Sequence, residues 1–327
     1  MEQPDSLKII CRNCRAKYDV TSFEPFTQFA CPGCGTLLKV PLRFGKYQLE
    51  KICGKGGMAS VYRAIDPEFS RHVAVKIMSP EAAKEEDLVR HFIDQAQLVS
   101  RIDHPGIIPI YESGILDDQP YLVMKYMDGG SFEVRQKEKR LPELPTLLTN
   151  IAVVAGGLQA ALQAKIIHHD IKPGNILTDL EGGVGLGDFD LAECPVHNRE
   201  LQPPREWASP AYVSPEWLES GEEDFRGDIF SLGVTAYELL TGQIPYATDG
   251  DAEVLLERRL HPIHLPAADM NHALSADFSD FLARMMAFRA EERPAYSEII
   301  RVFQQEARRI ADLASGRTSS WRLFGRR

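Results

Sequence analysis

Apolar residues recur at Leu88, Phe92, Val99 and Ile102, and Gln95 falls into the same stripe with spacings of four, three, four and three. That is the period of an amphipathic helix, and it predicts Gln95 on the core face. Asp94 is one residue out of phase, roughly 100° around such a helix. Upstream the pattern is that of strands. Tyr47 to Ile52 reads as one, and Val73-Ala74-Val75-Lys76 reads as an apolar strand with a single lysine inside it. A lysine in that setting needs a partner, because an unpaired buried ammonium is costly. The longest apolar stretch, Ile151 to Leu162, is interrupted by Gly156, Gly157 and Gln159 and is shorter than the roughly 20 residues a bilayer span needs. The first forty residues differ again. Between Cys14 and Cys31 the large apolar side chains are mainly Tyr18, Phe23, Phe26 and Phe29, too few to form a core in so short a piece.

Composition places the chain among ordinary globular proteins, and 327 residues exceed what one hydrophobic core organises, so two or three compact units are expected. The net charge of −10 argues against the whole chain being a nucleic-acid binder. The charge is uneven, with seven arginines against two acids over residues 301–327 and an acidic middle. Met1 to Ser6 is polar and does not read as a secretory signal, so the cytoplasm is the expected compartment.

Four of the six cysteines form two CxxC pairs, Cys11/Cys14 and Cys31/Cys34, separated by sixteen residues. In a reducing compartment this spacing points to a tetrahedral Zn²⁺ site rather than a disulfide framework. Metal binding would then supply the folding free energy the small core lacks. The segment resembles a zinc ribbon, with a structural Zn²⁺ expected over residues 1–42.

From residue 47 onward a series of motifs follows. Gly54-Lys55-Gly56-Gly57 lies between two expected strands and lets backbone N–H groups approach phosphates. Then come Lys76, His168-His169-Asp170-Ile171-Lys172-Pro173-Gly174-Asn175, Gly187-Asp188-Phe189-Asp190, Ser214-Pro215-Glu216, Asp228 to Gly233 and Glu292-Arg293-Pro294. Their order and spacing, from about Gly45 to Leu313, resemble the serine/threonine protein kinase family and especially its bacterial members. The resemblance implies an α+β fold of two lobes over residues 43–313: a β-rich small lobe over about 43–124, a connection at Lys125-Tyr126-Met127, and a helical large lobe over about 128–313. It also implies ATP and Mg²⁺ as cofactors and Ser/Thr hydroxyls of proteins as substrates. On that pattern the ATP-binding residues are Gly54, Lys55, Gly56, Gly57, Val61, Ala74, Lys76, Met124, Lys125, Met127 and Leu177. Asp170 is the expected base, Lys172 the residue that stabilises the transferred phosphoryl group, and Asn175 and Asp188 the Mg²⁺ ligands. Glu216 and Arg293 resemble a buried ion pair of the large lobe, and His168 a packing residue beneath Phe189.

Four positions depart from the family's pattern. Gln95 stands where a glutamate faces Lys76, and a neutral amide grips an ammonium less strongly than a carboxylate. His169 replaces an arginine that in the family holds a phosphorylated loop, which argues against a need for that modification. Asp190 replaces a glycine and adds a carboxylate near the metal ligands, and Ala59 fills the third loop-glycine position. The leading reading is therefore an ATP- and Mg²⁺-dependent protein kinase working at a reduced rate. A pseudokinase serving as a nucleotide-binding scaffold is the alternative. A zinc-ribbon nucleic-acid binder with a kinase-like regulatory half is a further one. The basic tail, 314–327, reads as disordered from its composition, with contact to an anionic lipid surface as the weaker reading.

Overall fold

The computed structural model describes residues 7–189, 210–246, 250, 252–260 and 265–316. The chain divides into two compact units, Met1–Gln97 with Ile110–Tyr126, and Leu98–Pro109 with Met127–Arg327.

The first unit opens with two small hairpins, β1 (Lys8–Ile10) against β2 (Lys17–Asp19) and β3 (Gln28–Ala30) against β4 (Leu37–Lys39). They repeat at a shift of twenty residues. Cys11 and Cys31 follow the first strand of each hairpin, and Val20 and Val40 follow the second, both buried. The residue after each second cysteine has positive φ, 64° at Arg15 and 75° at Gly35. Glycine reaches this region freely, whereas an arginine there is strained. In both turns the backbone N–H donates back to the first cysteine, Arg15 to Cys11 O at 2.9 Å and Gly35 to Cys31 O at 2.8 Å.

Next comes β5 (Leu42–Phe44), the edge strand of a six-stranded antiparallel sheet ordered β5-β6-β7-β8-β10-β9. Its other members are β6 (Tyr47–Lys55), β7 (Ala59–Asp66), β8 (Arg71–Met78), β9 (Ile110–Leu116) and β10 (Gln119–Lys125). Period-2 alternation gives this sheet two faces. Val73, Val75 and Ile77 join Leu49, Ala64 and Val123 in one core, against which Phe26, Leu42 and Tyr62 pack. Lys76 and Met78 alternate to the opposite side. There α1 (Glu86–Val99) covers Met78 and Leu122 with Phe92 and Ala96. The cysteine hairpins thus belong to the same compact unit as the sheet. Phe26 stacks on Tyr62 with ring centroids 6.4 Å apart, and Arg12, between the first two cysteines, pairs with Glu50 of β6 at 3.5 Å.

The second unit contains β11 (Gly130–Ser131), α2 (Phe132–Lys137), α3 (Leu144–Gln163), β12 (Ile176–Thr178), β13 (Val184–Leu186), α4 (Pro215–Ser220), α5 (Phe225–Thr241), α6 (Ala252–Leu260), α7 (Ala267–Met270), α8 (Ala276–Met285) and α9 (Tyr296–Ala314). Residues 98–109 belong to it because Gly106 to Ile108 run alongside β13. The Ile108 N–H donates to Leu186 O and the Leu186 N–H to Gly106 O, both at 2.9 Å. Ile102, expected on the α1 stripe, therefore follows the helix rather than ending it. The apolar stretch Ile151 to Leu162 is part of a 20-residue helix, α3. By length and composition alone, at a mean hydropathy of 1.4, that helix is long enough to cross a membrane. It extends the apolar stretch by seven residues on its N-terminal side. In this fold 56% of the window is buried, because α3 is a core helix packed on α9 and β13.

Phe26 is the main apolar link between the cysteine hairpins and the lobe sheet. Phe26→Ala is expected to speed amide hydrogen exchange over residues 7–40 while β8 and β10 keep their protection. Equal protection across both segments would show that the hairpins do not depend on this contact.

Candidate active site and cysteine centre

The four cysteine sulfurs lie within 4.8 Å of one another. Cys11 Sγ is 3.6 Å from Cys34 Sγ, and Cys14 Sγ is 3.5 Å from Cys31 Sγ. A tetrahedron of Zn–S bonds of about 2.3 Å has edges of about 3.8 Å, so the donor set fits that ion closely. The surrounding hydrogen bonds favour thiolates at two positions. The Tyr18 hydroxyl, 3.1 Å from Cys31 Sγ, holds that thiol below its ordinary range, and Thr36 brings Cys34 down to about 5. Cys14 goes the other way. The Ala16 backbone favours its thiolate, yet desolvation and the neighbouring sulfurs push it up to about 12. Four thiolates this close repel one another, and a cation is what relieves them. Gly33 leaves room for the arrangement, since a Cβ there would lie 3.2 Å from the Tyr18 hydroxyl and 3.4 Å from Cys14 Sγ.

In the sheet, the pairing brings four of the expected nucleotide residues to one face. Lys76 lies opposite Val61 on β7 and Leu122 on β10, and Ala74 lies opposite Met124. Directly opposed residues share a face, and Ala74 shares the face of Lys76 by alternation. Lys76 is buried, and so is Gln95 on α1, on the helix side that also buries Phe92, Ala96 and Val99. Asp94 is exposed. Gly54 and Lys55 end β6, and the Gly56 N–H closes the turn onto Ala59 O at 2.9 Å. A Cβ built at Gly54 or Gly57 would meet nothing within 4 Å, and one at Gly56 would make only an ordinary contact. The chain's own packing therefore gives no reason for these glycines. They leave open space beside the loop.

In the second unit the loop before β12 gathers the remaining chemistry. Lys172 Nζ donates to Asp170 Oδ2 at 2.7 Å, and Asn175 Nδ2 donates to the same oxygen at 2.9 Å and to the Asp170 carbonyl at 2.8 Å. With Nδ2 committed in this way, the amide oxygen of Asn175 is the atom left to meet a cation. Asp188 is exposed at φ 62°, and the Gly187 N–H donates to Asn175 O at 2.9 Å, tying the two expected metal ligands together. His168 is fully buried with its ring 4.4 Å from that of Phe189. Its Nδ1 accepts from the Asp170 N–H at 3.2 Å, so Nε2 carries the proton toward Gly187 O at 3.1 Å. Burial lowers its pKa and favours this neutral form.

Met127 is buried at the start of this unit, while Lys125 and Leu177 are half-buried. Arg293 grips Glu216 through both nitrogens, at 2.6 and 2.7 Å. Asp190, the segment Leu191 to Ala208 and the tail beyond Gly316 lie outside the described residues.

Two contributors were not legible from the motifs, and a third, Asp228, opens one of them. Asp228, at the start of α5, accepts the backbone N–H of His168 at 2.8 Å and of His169 at 2.9 Å. Thr235, two turns further along, donates to Ile171 O at 3.3 Å. Glu223 accepts from His169 Nδ1 at 2.7 Å. Thr235 was signalled only as a polar residue in an otherwise apolar helix. Glu223 sits in an acidic run that reads as surface.

The Protein kinase domain family matches residues 47–303. Among curated proteins the chain is 34% identical over 224 residues to the serine/threonine-protein kinase PrkC of Bacillus subtilis, covering 68% of this chain and 34% of that one. It is 32% identical over 221 residues to the serine/threonine-protein kinase PknL of Mycobacterium tuberculosis, covering 68% and 55%. To the probable serine/threonine-protein kinase pknA2 of Bifidobacterium longum it is 30% identical over 253 residues, covering 76% and 33%. The chain thus spans between a third and about half the length of these relatives. The crystal structure of the Mycobacterium tuberculosis PknI kinase domain covers 83% of this chain and 99% of its own at a TM-score of 0.61 and 24% identity, a likeness of fold. With a β-rich lobe bearing Lys76, a helical lobe bearing Asp170, and a family match over most of its length, this chain belongs to the protein kinase domain family.

Proposed function

We propose that this chain transfers the γ-phosphate of ATP to Ser/Thr hydroxyls of protein substrates in a Mg²⁺-dependent reaction, with a structural zinc ribbon over residues 1–42 ahead of the kinase domain over 43–313. The observation that carries this reading is the Asp170 carboxylate, held by both Lys172 and Asn175. A carboxylate fixed in this manner orients an attacking hydroxyl and accepts its proton, while Lys172 offsets charge on the transferred group. Asn175 and Asp188 would hold Mg²⁺, and Gly54 to Gly57 with Lys76 the phosphates. Bound Mg²⁺–ATP supplies the phosphoryl group and neutralises part of its charge. Val61, Ala74, Met124, Lys125, Met127 and Leu177 would enclose the base. The cytoplasm is the compartment that suits reduced, metal-binding cysteines.

The direct test is Mg²⁺-dependent transfer of labelled phosphate from ATP to the chain itself or to casein as a generic acceptor. Asp170→Asn is expected to abolish transfer. A parent protein no more active than this variant would leave a pseudokinase.

Gln95 is proposed as the partner of Lys76. Gln95→Leu should lower phosphotransfer by about tenfold, since one hydrogen bond to a charged group contributes about 1.5–3 kcal/mol. Gln95→Glu should match or exceed the parent. Steady-state kinetics on the two variants decides, and a fully active Gln95→Leu would remove the role.

Four thiolates close a tetrahedron, so metal analysis should return one Zn²⁺ per chain and less in Cys11→Ser or Cys34→Ser. Release of zinc by a chelator should expose residues 7–40 to proteolysis. Iron, or no metal at all, would exclude the structural zinc site.

A further inference from the structure

His169 adopts φ 63° in the left-handed region, an unfavourable conformation for a side chain with a Cβ. Its backbone is held there by Asp228, whose two oxygens accept the N–H groups of His168 and His169. Its ring is held separately. Nδ1 donates to Glu223 Oε1 at 2.7 Å, and the two side chains are only 4% and 6% exposed. The other Glu223 oxygen accepts from the Ser214 hydroxyl. That same hydroxyl oxygen accepts from the Trp217 N–H at 3.2 Å and so caps α4, and the Trp217 ring lies 5.8 Å from that of His169.

A buried carboxylate is expensive, and burial pushes Glu223 above the usual carboxylate range. The fold nonetheless makes room for it. A Cβ at Gly227 would fall 1.9 Å from Glu223 Oε2, so the carboxylate rests against the first turn of α5 only because residue 227 is glycine. That turn also presents the positive end of the helix dipole to it.

We infer that Glu223 is a positioning residue for the reaction, which with His169 and Ser214 clamps the loop bearing Asp170 onto the start of α4. His169 is the immediate neighbour of Asp170, so rotation of its peptide moves the carboxylate. The clamp joins residue 169 to residue 214 through Glu223. In the resemblance described above, an arginine at this position awaits a phosphate, whereas the His169 ring is already bonded to a carboxylate supplied by the fold. With Nδ1 already bonded to Glu223, no phosphate is needed at that atom.

This inference rests on the proposed kinase activity, and the test separates the two. Transfer from labelled ATP to casein is measured with the full chain, alongside hydrogen exchange over residues 168–171, which needs no activity. Glu223→Leu should lower kcat at least tenfold with KM for ATP changed less than about twofold, while Glu223→Gln, which keeps the shape and can still bond both partners, stays within about threefold of the parent. Exchange at His169 and Asp170 should rise at least tenfold in Glu223→Leu. Should that variant not fold, Ser214→Ala removes one tie only and should still lower kcat severalfold. Phosphatase treatment of the parent should leave kcat unchanged. A parent without transfer sinks the kinase reading but leaves the exchange result to judge the clamp. Parent-like exchange and kcat in Glu223→Leu, losses equal in Gln and Leu, an unaffected Ser214→Ala, or activity abolished by phosphatase would each overturn the inference.

Discussion

A single buried carboxylate, that of Asp228, fixes the geometry around which the large lobe is arranged. It lies at the start of α5, where the free N–H groups and dipole of a helix already favour negative charge. By accepting two successive backbone N–H groups it holds His168 and His169 in place, His169 in a conformation its own side chain opposes. From those two residues the constraint spreads. The His168 ring bonds the Asp170 N–H and the Gly187 carbonyl, and the Gly187 N–H bonds Asn175. Asn175 in turn bonds Asp170. The groups expected to perform phosphoryl transfer are thus tied to one another through a closed set of hydrogen bonds. A polar network in low dielectric is rigid only when it is satisfied in this manner.

The small lobe uses a different principle. Its sheet has a mainly apolar face and a face that mixes Met78 and Leu122 with Lys76. Alternation along β8 is what keeps the ammonium on the side covered by α1 while its neighbours Val75 and Ile77 build the opposite core. The cysteine hairpins make use of that opposite core, to which Phe26 contributes an aromatic ring they are too small to bury by themselves. With so few large side chains of their own, the hairpins otherwise hold only the four-sulfur cluster, where a bound metal would take the place of a core.

Much of this was readable in advance. The CxxC spacing gave the four-sulfur cluster, the 3.6-residue period put Gln95 inside and Asp94 outside, and the order of motifs gave both lobes. These are local properties, set by a turn, a helix repeat or a strand repeat. The twenty-residue duplication of the hairpins was also present in the sequence, in the equal offsets of the cysteine pairs and of Val20 and Val40.

What the sequence by itself determined were the chemical identities and periods: which residues could ligate, donate or accept, and which side of an element each would occupy. Only the tertiary structure decided which distant residues complete them. Glu223 reads as one acid among several in a surface run, yet it is buried against His169, fifty-four residues away, because Gly227 opens a space for it. Thr235 looks like a polar interruption of an apolar helix, and Asp228 like the start of a motif without a partner, until the loop bearing Asp170 is packed onto α5. Residues 98–109 leave the lobe of the preceding helix because their backbone pairs beside β13. In each case the deciding term is the desolvation of a polar group, which depends on what surrounds it in space and leaves no period along the chain.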